Sequence, residues 1–111
     1  MLDPEKPVCL IEDHPHDLFT LQQQVARLCT NSPEIKSFST LQTALDWADS
    51  NTPQLVISDL NLPDAQGLEA LRKLRSVLPA TPIVVLSGMG DDHLANQAIA
   101  EGAQDYLVKG S

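Results

Sequence analysis

Residues 55–63, Leu55-Val56-Ile57-Ser58-Asp59-Leu60-Asn61-Leu62-Pro63, decide the fold of this chain. Three consecutive apolar residues lead into a serine and an aspartate, and a proline follows closely. A run that is apolar at each position, with no polar alternation, suits a strand covered on both faces. Such strands belong to parallel sheets, whose βαβ crossovers lay helices on either side. Asp59 then falls at the carboxyl edge of the sheet, where open α/β domains bind their ligands.

The same rhythm extends in both directions. Val8-Cys9-Leu10-Ile11 forms a first strand after Pro7, and Leu18, Leu21, Val25 and Leu28 recur at helical spacing. Ile35 to Phe38 is a weaker strand, interrupted by Lys36 and Ser37, which suits an edge position. Leu41, Ala44, Leu45 and Ala48 mark a second helix, and Ser39 with Gln42 has the spacing of a capping box. Leu68, Leu71, Leu74 and Leu78 make a third helix that must stop near Pro79. Ile83 to Leu86 is a fourth strand, closed by Ser87-Gly88. A fourth helix starts near Asp91 or Asp92, carries Leu94, Ala98 and Ile99, and ends at Gly102. Tyr106-Leu107-Val108 is the fifth strand. The pattern is (βα)4β, an open, doubly wound α/β domain with a five-stranded parallel sheet. A fifth helix would be expected after Val108, yet the chain stops at Ser111. The expectation is one domain over residues 1–111, a fragment of a longer protein cut before that helix.

Composition narrows the function. The 111 residues suit one compact domain, and 42% hydrophobic residues suffice for a core. Asp and Glu number 15 against 7 Lys and Arg, a formal net charge of −8. Nucleic acid phosphates repel such a chain, and no cluster of basic residues offsets this. A carboxylate-rich surface does suit a divalent cation. Cys9 and Cys29 read as two small thiols, not a disulfide framework. Residues 1–7 lack the apolar region of a signal peptide, and no apolar run is long enough to span a membrane, so a cytoplasmic protein is expected.

The unusual polar residues fall at strand ends. Glu12 and Asp13 follow the first strand, Asp59 the third, Ser87 the fourth and Lys109 the fifth. With strands in the order 2-1-3-4-5, the first and third are neighbours and three carboxylates share one crevice. Singly, each residue could be a loop acid, a turn residue or a surface lysine. Together they make a site. Clustered carboxylates call for a cation, and hard oxygen ligands with room for water favour Mg²⁺. A carboxylate can attack a phosphoryl group to form an aspartyl phosphate. A metal and an ammonium can neutralise the phosphoryl oxygens, and a serine hydroxyl can donate to them.

Ile11-Glu12-Asp13, Asp59-Leu60-Asn61-Leu62-Pro63, Ser87-Gly88 and Asp105-Tyr106-Leu107-Val108-Lys109 together resemble the receiver domain of two-component response regulators. The likeness runs from about Pro7 to Lys109. It implies a flavodoxin-like sheet in the order 2-1-3-4-5 and an acceptor at Asp59, phosphorylated from a histidine kinase or phosphotransfer protein. It implies that Asp13 and Asp59 ligate Mg²⁺, with Glu12 through water or as a weaker ligand and Asn61 through its backbone carbonyl. Ser87 and Lys109 would hold the phosphoryl oxygens. Ser87 and Tyr106 would form the switch that remodels the surface around the fourth helix and fifth strand. An output domain or downstream protein would read that surface, and the family allows homodimers. Such a domain assists its own phosphorylation and dephosphorylation but is a stoichiometric switch, not a turnover enzyme.

This sequence departs from the family's pattern at Gly110, where many members carry a cis-proline, and in lacking the fifth helix. Two other functions compete. A receiver-fold binding module that signals without phosphorylation has no need for all of Glu12, Asp13, Asp59, Ser87 and Lys109. An aspartate-nucleophile phosphatase usually carries a second acid where this chain has Asn61. His14, His16 and His93 read as solvent-exposed loop or helix residues, and Trp47 as packing. Met89, two after Ser87, and Asn61, two after Asp59, resemble family positions that tune phosphate lifetime.

Overall fold

A computed structural model of the chain describes residues 5–27, 33–88 and 90–109. In chain order the elements are β1 (Val8–Ile11), α1 (Pro15–Arg27), β2 (Ile35–Phe38), α2 (Leu41–Ala48) and β3 (Leu55–Asp59). There follow β4 (Asn61–Leu62), β5 (Ala65–Gln66), α3 (Glu69–Val77), β6 (Ile83–Ser87), α4 (Asp92–Ala100) and β7 (Asp105–Val108). Leu28, Cys29, Met89 and Gly110, all singled out in the sequence, lie outside the described residues.

Five strands form one parallel sheet in the order β2-β1-β3-β6-β7, the expected flavodoxin-like arrangement with β2 at an edge. The register pairs Ile11 with Ser58, Asp59 with Leu86 and Ser87 with Val108. The strands therefore finish level, and the polar residues that follow them share one edge.

Two apolar clusters explain why the strands read as continuous runs. Cys9, Ile11, Val56, Ile83 and Val85 point to the face packed by α2, α3 and α4. Val8, Leu10, Ile57 and Leu86 point to the other, where Leu21 and Val25 of α1 cover them. Each of these strand residues is at most 5% exposed. Residues i and i+1 thus both need to be apolar, as a two-faced sheet requires. Leu107 of β7 is 44% exposed, and an open cleft lined by Leu21, Val25, Ile57 and Leu107 runs beside α1.

Two local features differ from the sequence reading. The cap of α2 is Thr40, whose hydroxyl accepts from the Thr43 amide at 3.3 Å, not Ser39 with Gln42. The Gln42 amide that a Ser39 box would use is already taken. Asp64 reaches across from the β4–β5 turn and accepts from Leu41 N at 2.8 Å and Gln42 N at 2.9 Å. Secondly, β4 and β5 form a small antiparallel hairpin around Pro63-Asp64, pairing Asn61 with Gln66 and Leu62 with Ala65. Strands of two residues are too short to leave a periodic signature.

The predicted end of α4 holds. Gly102 adopts φ +109°, its amide donates to Ile99 O at 3.1 Å, and the Ala103 amide donates to Ala98 O at 2.9 Å. That pair of bonds is a Schellman motif, which closes the helix's free carbonyls and aims the chain into β7.

Candidate functional site

Glu12, Asp13, Asp59, Ser87 and Lys109 stand where parallel strands end, whereas Asn61 opens β4 and Tyr106 lies within β7. Asp59 is the last residue of β3 and Ser87 the last of β6, while Glu12-Asp13 follow β1 and Lys109 follows β7. The Lys109 amide donates to Ser87 O at 2.8 Å, which carries the ladder to the end of β6 and sets where the lysine side chain begins.

Lys109 reaches into the acids. Its Nζ lies 3.0 Å from Asp59 Oδ2, 2.9 Å from Glu12 Oε2 and 3.2 Å from Asp17 Oδ2. The Asp59 contact is a directed hydrogen bond. The Glu12 contact is an ion pair without hydrogen-bond alignment, so Oε2 is buried with no donor aimed at it. Glu12 Oε1 faces the other way and accepts from the His14 amide at 3.1 Å. Asp59 Oδ1 accepts from the Asn61 amide at 3.1 Å.

Burial sets the electrostatics. Glu12 is 2% and Asp59 3% exposed. Burial pushes the Glu12 carboxyl above its usual range. Lys109 and the His14 amide pull it down, and the nearby charge of Asp59 adds to the upward push. Burial works against the Lys109 ammonium, but Glu12 and Asp59 outweigh it and hold the lysine protonated well above its usual range. Glu12, Asp17 and Asp59 thus surround the Lys109 ammonium, with Asp13 beside Glu12 and Asp59. At 4 Å separation, two like charges at an effective dielectric of 20 repel by about 4 kcal/mol. One lysine does not relieve such a cluster.

A cation fits here. Ligand atoms of Glu12, Asp13, His14 and Asp59 lie within 4.8 Å of one another. Glu12 Oε2 and Asp13 Oδ1 are buried without a hydrogen-bond donor, which a metal would satisfy. Carboxylate oxygens are the ligands that Mg²⁺ prefers. Asp59, although only 3% exposed, also lines an open cleft of about 280 Å³ with Asn61, Gly67, Gly88 and Asp91.

Ser87 is 1% exposed, with Oγ 3.5 Å from Leu107 O, a long contact that leaves the hydroxyl lightly held. Tyr106 is half-buried and packs against the cluster that contains Ala98 of α4. Trp47 packs as expected, its ring 5.6 Å from that of Phe38.

Two members of the site escaped sequence reading. His14 is exposed as expected, yet its Nδ1 lies 3.3 Å from both Glu12 Oε1 and Asp13 Oδ1. Asp17, in the first turn of α1, faces Lys109. Their spacing after Asp13 points to the site only once the direction of α1 is known. Elsewhere, burial raises the Cys9 thiol to about 12, which removes it from nucleophilic chemistry. Among the described residues no helix is long and apolar enough to cross a membrane.

Comparison with known proteins agrees with this geometry. The response regulator receiver domain family matches residues 8–111. The C4-dicarboxylate transport transcriptional regulatory protein DctD of Rhizobium meliloti is 32% identical over 93% of this chain and 22% of its own length. The nitrate/nitrite response regulator NarL of Escherichia coli is 34% identical over 92% of this chain and 47% of its own. This chain therefore spans less than half of either relative. A crystal structure of a Burkholderia pseudomallei response regulator, with a phosphorylated aspartic acid, calcium ion and citrate, superposes with a TM-score of 0.79. It is 26% identical and covers 96% of this chain and 61% of that one. With its sheet order, its acidic strand ends and these matches in agreement, the chain belongs to the response regulator receiver domains of two-component signal transduction.

Proposed function

We propose that this domain accepts a phosphoryl group on Asp59 from the phosphohistidine of a histidine kinase or phosphotransfer protein. The carrying observation is the meeting of Glu12, Asp13 and Asp59 with the Lys109 ammonium at the ends of adjacent strands. An Asp59 carboxylate oxygen attacks phosphorus, the bond between phosphorus and the imidazole nitrogen breaks, and the imidazole leaves with that electron pair. Asp13, Asp59, Glu12 and the backbone carbonyl of Asn61 would hold Mg²⁺. When bound, that ion offsets the negative charge of the acids and of the transferring group. Lys109 already touches Asp59 Oδ2 and needs only a small shift to follow the phosphoryl oxygens. The relative crystallised with a phosphorylated aspartic acid and a calcium ion supports the same pairing of chemistry.

Ser87 donates its lightly held hydroxyl to the new phosphoryl group, and Tyr106, packed beside α4, repacks as Ser87 moves. Phosphorylation then biases a two-state surface of α4 and β7, read by an output domain or a downstream protein. The domain is consumed stoichiometrically and assists its own phosphorylation and hydrolysis.

Incubation with acetyl phosphate and Mg²⁺, followed by intact mass measurement, tests this. One added phosphoryl group, absent in Asp59→Asn, is the expected result. An unmodified wild type would point to a binding module, and sustained release of phosphate from unrelated monoesters to a phosphatase. Magnesium titration should show weak binding that Asp13→Ala greatly reduces; unchanged affinity would refute the ligand assignment.

A further inference from the structure

The chain that follows Asp59 folds back on itself before α3 begins. β4 and β5 contribute two residues each, pairing Asn61 with Gln66 and Leu62 with Ala65. A hairpin this short has no independent stability in water, so its surroundings must hold it. Leu62 and Ala65 enter the apolar cluster that includes Leu41 of α2. Within the loop, the Gln66 side-chain amide donates to Leu62 O at 2.7 Å and the Gly67 amide to Leu60 O at 2.8 Å. Asp64, at the tip, ties the hairpin to α2. It accepts from Leu41 N at 2.8 Å and Gln42 N at 2.9 Å, one amide on each carboxylate oxygen.

The other end of this segment touches the acceptor. The Asn61 amide donates to Asp59 Oδ1 at 3.1 Å, and Asp64 lies three residues further on. Between them Pro63 fixes one backbone angle, which shortens the mechanical path from α2 to Asn61. The α2 dipole favours a carboxylate at this end of the helix. Yet α2 already has a local cap in Thr40, whose hydroxyl takes the Thr43 amide. The two Asp64 bonds therefore constrain the hairpin as well as the helix.

We propose that Asp64 is a positioning residue for the phosphoryl-transfer site: by gripping α2 it fixes the hairpin, and with it the backbone carbonyl of Asn61. The inference rests on the reading above, in which that carbonyl and the acids would hold Mg²⁺. Magnesium demands near-ideal octahedral geometry at short bond lengths, so a carbonyl on a loosened hairpin costs affinity. The coupling runs both ways. Whatever Asp64 contributes to cation binding, cation binding returns to the bonds between Asp64 and α2.

Magnesium titration of the full chain, at a temperature where every variant is folded, tests this. Asp64→Ala is expected to weaken Mg²⁺ binding by about three- to tenfold, less than the roughly 10–100-fold typical of groups bonded directly to a ligand. Asp64→Asn, which keeps one acceptor oxygen, should lose less. Thr40→Ala removes the local cap of the same helix and should keep wild-type affinity. A second readout needs no variant. In wild type, Mg²⁺ should slow hydrogen exchange at the Leu41 and Gln42 amides more than at the Asp49 amide, which closes the far end of α2. Wild-type affinity in both Asp64 variants would leave Asp64 a cap only and overturn the positioning role. So would equal slowing at all three amides, or a loss in Thr40→Ala as large as in Asp64→Ala, which would trace the effect to fraying of α2. Failure of the underlying reading looks different: wild type itself would bind no Mg²⁺, and both would fall together.

Discussion

Lys109 Nζ donates a hydrogen bond to Asp59 Oδ2 at 3.0 Å, joining two residues that stand 50 positions apart in the chain. The bond spans the sheet from β7 to β3, across β6. The same ammonium touches Glu12 and Asp17, so it serves as the cluster's resident counter-ion.

Removing that counter-ion should destabilise the protein and change its response to metal. Lys109→Ala leaves Glu12 and Asp59 buried without an ammonium. Losing one partner of a fully buried pair costs roughly 3–5 kcal/mol. The Lys109 side chain keeps 19% exposure, so a loss of about 2 kcal/mol is expected. Urea denaturation with and without Mg²⁺ should show a lower midpoint for the variant and a larger rescue by Mg²⁺ than in wild type. Equal rescue would mean that lysine and metal do not share the charge.

Asp64 should act as a remote helix cap whose benefit depends on pH. Desolvation opposes its charge slightly, although the residue is exposed, and the amides of Gln42 and Leu41 outweigh this and hold the carboxyl below its ordinary range. A group depressed on folding stabilises above its unfolded pKa, and that stabilisation fades as pH falls through the folded value. Asp64→Ala should therefore cost about 1 kcal/mol at neutral pH and progressively less below the ordinary carboxylate range of about 4. Asp64→Asn, with one acceptor oxygen for the two amides, should retain only part of the cap, and that part should not vary with pH. Denaturation midpoints at pH 7 and at acid pH, compared across the three proteins, report this directly.

Gly102 should resist substitution. Its φ of +109° is a conformation that side chains rarely adopt, and an added Cβ would lie 3.3 Å from the Arg75 side chain. Arg75 can move, so the backbone conformation dominates. Gly102→Ala is expected to lower stability by about 1–2 kcal/mol without affecting Asp59 chemistry, which thermal melting and acetyl phosphate labelling can separate. A melting temperature equal to wild type would show that the turn relaxes freely.

Particular residues show what could be read before folding and what could not. Val56, Ile57, Val85 and Leu86 are buried on alternate faces, so two-sided burial is written into consecutive apolar positions. A parallel two-faced sheet then follows, and with it the placing of Asp59 and Ser87 at one edge. Part of the capping of α2 could not be read locally, because Asp64, more than twenty positions downstream, takes the Leu41 and Gln42 amides beside the Thr40 cap. His14 and Asp17 were hidden for a similar reason. Their membership of the site depends on how the first turn of α1 leaves β1, and tertiary packing sets that angle.

Reductive trapping tests the central claim most directly. Protein phosphorylated with acetyl phosphate and Mg²⁺, then treated with borohydride, should yield homoserine at position 59 on peptide mapping, because an acyl phosphate is reduced where a carboxylate is not. An unreduced Asp59 in protein that carries the phosphoryl group, with the modification mapped to another residue, would contradict the account.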